Sequence, residues 1–266
     1  VIDSLPLILA AGFLGLLFGS FANVCIHRIP REIPLGLKSH GRSFCPHCES
    51  KVRWRDNVPV LSYILLNGRC RDCKQPISRR YPLVEILMAL LFALTAGLYA
   101  YAREGSGLEP ARYWAILVVQ LYFVFALVVT TFVDLDFRII PDRFSWGGWV
   151  VALVASVALG EPFWLSSLAG GLMGFGLFFV MAWGYEKWKG IEGLGFGDVK
   201  MMGWLGSWLG FESVPLIIMG ASLSGLVVGL WAARRSDEGL QAAIPFGPFL
   251  ALAAYGAWVA RMLGYL

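Results

Sequence analysis

Charge is what this chain has least of. Only 15% of its 266 residues are Asp, Glu, Lys or Arg, while 58% are hydrophobic and the mean hydropathy is +0.66. Soluble domains run to about a quarter charged and half apolar. Both departures therefore exclude an ordinary soluble domain built around one large core. The chain also lacks internal repeats and low-complexity tracts. Ahead of the first apolar run there is no basic stretch but an acid, Asp3, and the run is followed at once by Arg28 and Arg31. That pattern is not that of a cleaved signal peptide.

What is present instead is a series of apolar runs, at about 5–26, 82–102, 114–133, 144–159, 163–185, 199–209, 214–233 and 245–266. A membrane-spanning helix needs about 20 predominantly apolar residues. Thirty-one glycines suit such a protein, because small residues let membrane helices approach closely. The expected fold is an all-α polytopic membrane protein of about eight transmembrane helices. The sixth run is short and interrupted by glycine, which admits a re-entrant or broken helix lining a polar cavity.

The scarce charge is unevenly placed. Twelve of the 22 basic residues fall between Arg28 and Arg80. In a soluble chain that would suggest nucleic-acid binding, but in a membrane protein it marks a cytoplasmic segment, and no nucleic-acid partner is expected. Alternating the runs outward from this segment puts nineteen basic residues on the cytoplasmic side. Only Arg103, Arg112 and Arg261 fall outside. The expected organisation is a first transmembrane helix at 1–27, a cytoplasmic module at 28–81, and the remaining membrane helices at 82–266.

Within the module stand Cys45-Pro-His-Cys48 and Cys70-Arg-Asp-Cys73. This spacing is that of a structural zinc site, in which each pair supplies two thiolates to one tetrahedral ion at about 2.3 Å. A segment of this size with few aliphatic residues needs such a staple to fold. Two disulfides are the competing reading, disfavoured by a reducing cytosol. His47 sits between two ligands and is expected to point outward, and Cys25 to be apolar packing. With all four positions filled by Cys45, Cys48, Cys70 and Cys73, no place is left for a catalytic water.

Carboxylates collect in two places where helices should end. Asp134 and Asp136 close the third run, with Asp142 following as an expected cap of the fourth. Asp198 opens the sixth in Gly195-Phe-Gly-Asp198. The topology above, drawn from basic residues alone, puts both places on the cytoplasmic face. Charges at such positions are costly and tend to be functional. Two carboxyl groups held close share one proton, so that one activates water while the other polarises a peptide carbonyl. Gly195 and Gly197 leave room for an extended substrate backbone. Gly-x-Gly-Asp alone is a weak motif in so glycine-rich a chain; it gains weight from the second carboxylate site. Asp134 and Asp136 face different ways on a helix, so only one should meet Asp198.

Taken together, Gly19-Ser-Phe-Ala-Asn-Val24, Ile26-His-Arg-Ile-Pro30, the two cysteine pairs, Arg80-Tyr-Pro-Leu-Val-Glu85, the Asp134 segment and Gly195-Phe-Gly-Asp198 resemble the bifunctional prepilin peptidases. The likeness covers nearly the whole chain. It implies a bacterial inner-membrane enzyme that cleaves the leader of type IV prepilins or type II secretion pseudopilins at the cytoplasmic face. It also implies N-methylation of the new terminus with S-adenosylmethionine. By that resemblance the catalytic pair is Asp134 and Asp198. No glycine-rich strand–turn–helix suggests an independent nucleotide fold. The methyl-donor region is therefore expected around 28–81 and its flanking helix ends, where Asn23, His27 and Glu85 are either functional or simple capping and packing residues.

Overall fold

A computed structural model describes residues 4–35, 44, 45, 47–191, 193–235 and 244–265. Parts of the expected cysteine module, at 36–43 and 46, and Leu266 of the last run lie outside the described residues. Among the described residues β-pairing is limited to two isolated bridges, Phe44–Lys51 and Arg69–Pro76, and each of the eight apolar runs is a helix. The nine α-helices among the described residues are α1 (Leu5–Arg28), α2 (Leu61–Leu65), α3 (Arg80–Ala102), α4 (Pro110–Phe137), α5 (Asp142–Leu159), α6 (Trp164–Lys189), α7 (Phe196–Leu209), α8 (Val214–Ala233) and α9 (Gly247–Met262). Proline within the first two residues opens α1, α4, α8 and α9. Its missing N–H costs nothing there and its fixed φ suits the first turn.

Among the described residues, five helices are long and apolar enough to cross a membrane: α1, α3, α4, α6 and α8. The chain is a multi-pass membrane protein. The other three expected spans are shorter, at 18, 14 and 16 residues for α5, α7 and α9. At about 1.5 Å per residue, α7 reaches some 20 Å, short of a hydrocarbon core of about 30 Å. α7 is one unbroken helix rather than a broken one, and every residue from Met201 to Leu209 is buried. Its glycines do not interrupt it because they serve packing.

The chain divides into two compact units. The first comprises Val1–Gly105 and Gln120–Val129, the second Ser106–Val119 and Thr130–Leu266. In the first unit α1 packs along α3 on small residues. A Cβ at Gly15 would lie 2.6 Å from the Ala89 Cα, and one at Gly19 2.6 Å from the Glu85 Cα. This four-residue glycine spacing brings two backbones together, and dispersion then replaces the hydrophobic drive that lipid cannot supply. Phe18, Phe92 and Phe125 fill the space beside the seam.

In the second unit α7 is the central element. The same device holds it to α6, where a Cβ at Gly170 or Gly206 would fall 2.2 Å from the other residue's carbonyl oxygen. The Ser167 hydroxyl donates to the Ser207 carbonyl at 2.8 Å within the seam. Arginines satisfy two helix ends on the side away from the start of α7. Arg112 donates to the Leu159 carbonyl at 2.7 and 3.0 Å, and Arg261 to the Leu209 carbonyl at 2.7 Å. Carbonyls at a helix C-terminus lack intrahelical donors, and a cation there also suits the helix dipole.

Candidate active site and metal centre

Helix α4 ends where the chain turns left-handed at Arg138, φ 55°, which lets the Arg138 N–H bond the Asp134 carbonyl at 2.9 Å. The turn leads through Ile139 and Ile140 into α5. Helix α7 starts at Phe196 after an extended Gly195, so Asp198 lies in its first turn. Asp134, Arg138, Ile139, Ile140, Gly195, Phe196, Gly197, Asp198 and Lys200 line one cavity of about 280 Å³. The two carboxylates expected to meet are thus brought into one space with both glycines of the motif. Asp134 is only 5% exposed, Asp198 half-buried, and Asp136 exposed and off the cavity lining. Helical geometry makes that choice: two positions apart is about 200° around the axis.

Gly197 sits against Ile140, where a Cβ would approach to 3.2 Å, and Gly195 faces the Asp198 carboxylate. Side chains at either position would narrow the cavity floor. Asp142 does not cap α5 as expected. The N-cap is Pro141, and the Asp142 carboxylate instead pairs with the Lys200 ammonium. The ion pair ties the start of α5 to the second turn of α7, and it neutralises a cation in the cavity wall.

A third element, which sequence reasoning did not pick out, completes this site. The Gly247 N–H, at the start of α9, donates to Asp134 Oδ2 at 2.9 Å. A Cβ at Gly247 would lie 2.7 Å from the same oxygen. Only glycine both supplies the donor and leaves room for the acceptor. The signal was there in Pro245-Phe-Gly-Pro248, a rigid, side-chain-poor stretch where a helix had only to begin.

In the first unit, the two cysteine pairs form matching turns. The Cys45 N–H bonds the Ser50 carbonyl and the Glu49 N–H bonds the Cys45 carbonyl, at 3.0 and 2.8 Å. The Cys70 N–H bonds the Gln75 carbonyl and the Lys74 N–H bonds the Cys70 carbonyl, at 2.8 and 3.1 Å. Glu49 and Lys74 take the same left-handed φ, 57° and 61°. The four sulfurs lie within 4.8 Å of one another, with Cys45 and Cys73 Sγ 3.8 Å apart. All five cysteines are free thiols, so the disulfide alternative does not hold. A tetrahedron with metal–sulfur bonds of about 2.3 Å has edges of about 3.8 Å, so this donor set fits one ion. The Ser50 hydroxyl and backbone N–H hold the Cys48 thiol down to about 6, and backbone N–H groups of Cys73 and Asp72 lower Cys70. At Cys73 the Gln75 N–H acts in the same direction, but burial and neighbouring thiols outweigh it and push the thiol up to about 12. His47 is exposed and outside the cluster, and Cys25 is buried packing.

Two of the three polar residues at the flanking helix ends, Asn23 and Glu85, spend their hydrogen bonds inside the protein, while His27 is exposed. The Asn23 amide donates to the Gly19 and Tyr81 carbonyls at 3.3 and 3.1 Å, tying α1 to the start of α3. The buried Glu85 carboxylate accepts the Val60 N–H at 2.7 Å. Val60 is a β-branched residue at φ 59°, ψ −49°, and its neighbours close a γ-turn through Leu61 N–H to Pro59 O. Such a conformation costs roughly 1–3 kcal/mol and persists only where its surroundings enforce it. Glu85 does so here.

The chain is similar to known proteins along most of its length. Residues 13–99 match the family model described as the bacterial peptidase A24 N-terminal domain, and residues 121–230 that of the type IV leader peptidase family. A prepilin leader peptidase/N-methyltransferase of Aeromonas hydrophila is 34% identical over 275 residues, covering 94% of this chain and 88% of its own. One of Pseudomonas putida is 34% identical over 274 residues, covering 96% and 90%. A type 4 prepilin-like proteins leader peptide-processing enzyme of Escherichia coli is 36% identical over 265 residues, covering 94% and 91%. No solved structure matches the chain.

Proposed function

The chain belongs to the type IV leader peptidase family, and we propose that it removes the leader from type IV prepilins or pseudopilins and N-methylates the new terminus. The observation that carries the reading is the meeting of Asp134 and Asp198 in one cavity with Gly195 and Gly197. Asp134 and Asp198 are the catalytic residues of this reading. One carboxylate takes a proton from water as it attacks, and the other, protonated, donates to the scissile carbonyl oxygen. Gly247 fixes the Asp134 carboxylate through its N–H, leaving the other oxygen for water. Gly195 and Gly197 let the substrate backbone lie against the start of α7.

The cavity lies at helix ends rather than midway along them, which suits a bond at the junction of a polar leader and an apolar helix. By the positive-inside distribution this is the cytoplasmic face of the bacterial inner membrane, with the cysteine module on the same side. The proposed metal is zinc, held by Cys45, Cys48, Cys70 and Cys73. It has no open position and so supplies folding energy rather than chemistry. The methyl donor of this reading is S-adenosylmethionine. Asn23 and Glu85 already bond within the protein, so they are assigned to structure and no step of methyl transfer is routed through them.

The test is an intact-mass assay of a prepilin incubated with the purified protein in lipid, with and without S-adenosylmethionine. Leader loss plus one methyl mass is expected, the methyl only with the donor. Cleavage without methylation reduces the protein to a peptidase. Failure to cleave prepilins or pseudopilins by a well-folded sample removes the reading altogether.

A further inference from the structure

Apolar side chains on membrane helices are exposed because lipid covers them; those of the cysteine module have no such explanation. Helix α2 exposes Leu61, Ile64 and Leu65, at i, i+3 and i+4 on one face, and buries Ser62 on another. Ile64 and Leu65 are 62% and 70% exposed, and the nearby Trp54 81%. Soluble surfaces seldom carry such a cluster without a use for it.

The depth of α2 follows from one hydrogen bond. Its first residue follows Val60, whose N–H is held by Glu85. Glu85 lies in the second turn of α3, a helix long and apolar enough to cross the bilayer. The strained turn at Val60 therefore delivers α2 to the level at which α3 passes from water into lipid.

Immediately after α2 the character of the surface reverses. Leu65 and Leu66 form one end of a cavity of about 500 Å³ whose remaining walls are Asn67, Arg69, Cys70, Arg71 and Lys74. Arg71 is committed to Asp56 through two hydrogen bonds of 2.8 and 2.5 Å. Arg69 and Lys74 are exposed and make no ion pair among the described residues. The whole 28–80 segment has twelve basic residues against four acidic ones. An apolar face joined to a basic hollow, at the level of the bilayer surface, matches an anionic glycerophospholipid end to end. Acyl chains meet Leu61, Ile64 and Leu65, and the phosphate meets Arg69 and Lys74.

We propose that α2 and the hollow behind it form a binding site for an anionic phospholipid, which seats the cysteine module on the membrane surface. The full-length protein is reconstituted into nanodiscs of phosphatidylcholine mixed with phosphatidylglycerol. A photoreactive diazirine amino acid stands at position 64, or at the exposed position 49 of the first cysteine turn as a control. Phospholipid adducts are expected at 64 and not at 49. Native mass spectrometry of the extracted protein should show phosphatidylglycerol retained over phosphatidylcholine. Arg69→Gln and Lys74→Gln should each lower that preference roughly fivefold, with helical content and metal content unchanged. Adducts at 64 that map to protein rather than lipid would overturn the proposal, as would equal retention of the two lipids. Displacement of phosphatidylglycerol by inorganic phosphate alone would assign the hollow to a soluble anion and overturn it as well.

Discussion

The cysteine cluster and the aspartate cavity are both built from short stretches brought together by the fold, yet one is closed and the other open. At the cysteines four sulfurs face one another within 4.8 Å, and every ligand position of a tetrahedral ion is taken. At the aspartates the two carboxyl groups share about 280 Å³ of space with two glycines, in a wall that also carries Arg138 and Lys200. A closed polar site stabilises whatever holds it. An open one, floored by residues without side chains, has room for something else to be bound and changed.

The sharpest way to break the comparison is at the open site. Asp134→Asn and Asp198→Asn should each remove leader cleavage by a factor of at least about a thousand, since either loss leaves no acid–base pair. Methylation of a pre-cleaved pilin should survive, measured by intact mass. Loss of both activities in a well-folded variant would mean that the two reactions share the carboxylates.

At the closed site the expected loss is of structure rather than of one step. Chelation, or Cys70→Ser, should unfold the module, seen as rapid hydrogen exchange confined to residues 44–79 while the membrane helices stay protected. Acid should act in the same direction. The Cys48 thiol is held down to about 6, so its thiolate, the form that binds metal, is present above that pH and is lost as pH falls through it. Metal release measured by a colorimetric chelator should therefore begin near pH 6. Release only at much lower pH would show that the bound ion, not the Ser50 contacts, sets the titration.

Why one site was readable and the other only in part follows from what each is made of. The cysteine spacing carries its geometry in the sequence, because two residues between thiols already define a turn. The eight apolar runs were equally legible as helices, and among the described residues five are long and apolar enough to cross a membrane. The partners of Asp134 were not. Gly247 stands 113 positions further on and acts through its backbone N–H, which every residue but proline has. Asp142 was read as a cap because it begins a helix, and its true partner, Lys200, lies 58 residues away. Likewise the glycines of α7 read as interruptions until Gly170 was seen against Gly206. Local signals give elements; what is read through a backbone atom or a distant neighbour needs the fold.

Gly247 gives the next prediction. Gly247→Ala puts a methyl group 2.7 Å from Asp134 Oδ2, so the carboxylate must move by a few tenths of an ångström or more. Cleavage should fall about 10- to 100-fold in kcat with KM nearly unchanged, as a displaced catalytic group predicts. The pH–rate profile should shift along with it. An equal loss of methylation, or a fall in thermal stability large enough to explain the rate, would make Gly247 a packing residue only.

The smallest effect is expected at the Lys200–Asp142 pair, and it bears on how a basic leader enters a cavity that already contains Arg138 and Lys200. Asp142 is mostly exposed, so the pair adds little to stability. Its use is electrostatic: it cancels a positive charge in the wall. Asp142→Asn should leave kcat within about twofold and raise KM for a leader rich in Lys and Arg several-fold, more at low salt than at high. A leader with its basic residues neutralised should show no such change. If both leaders lose equally, Asp142 positions α7 and the charge of Lys200 is incidental to recognition.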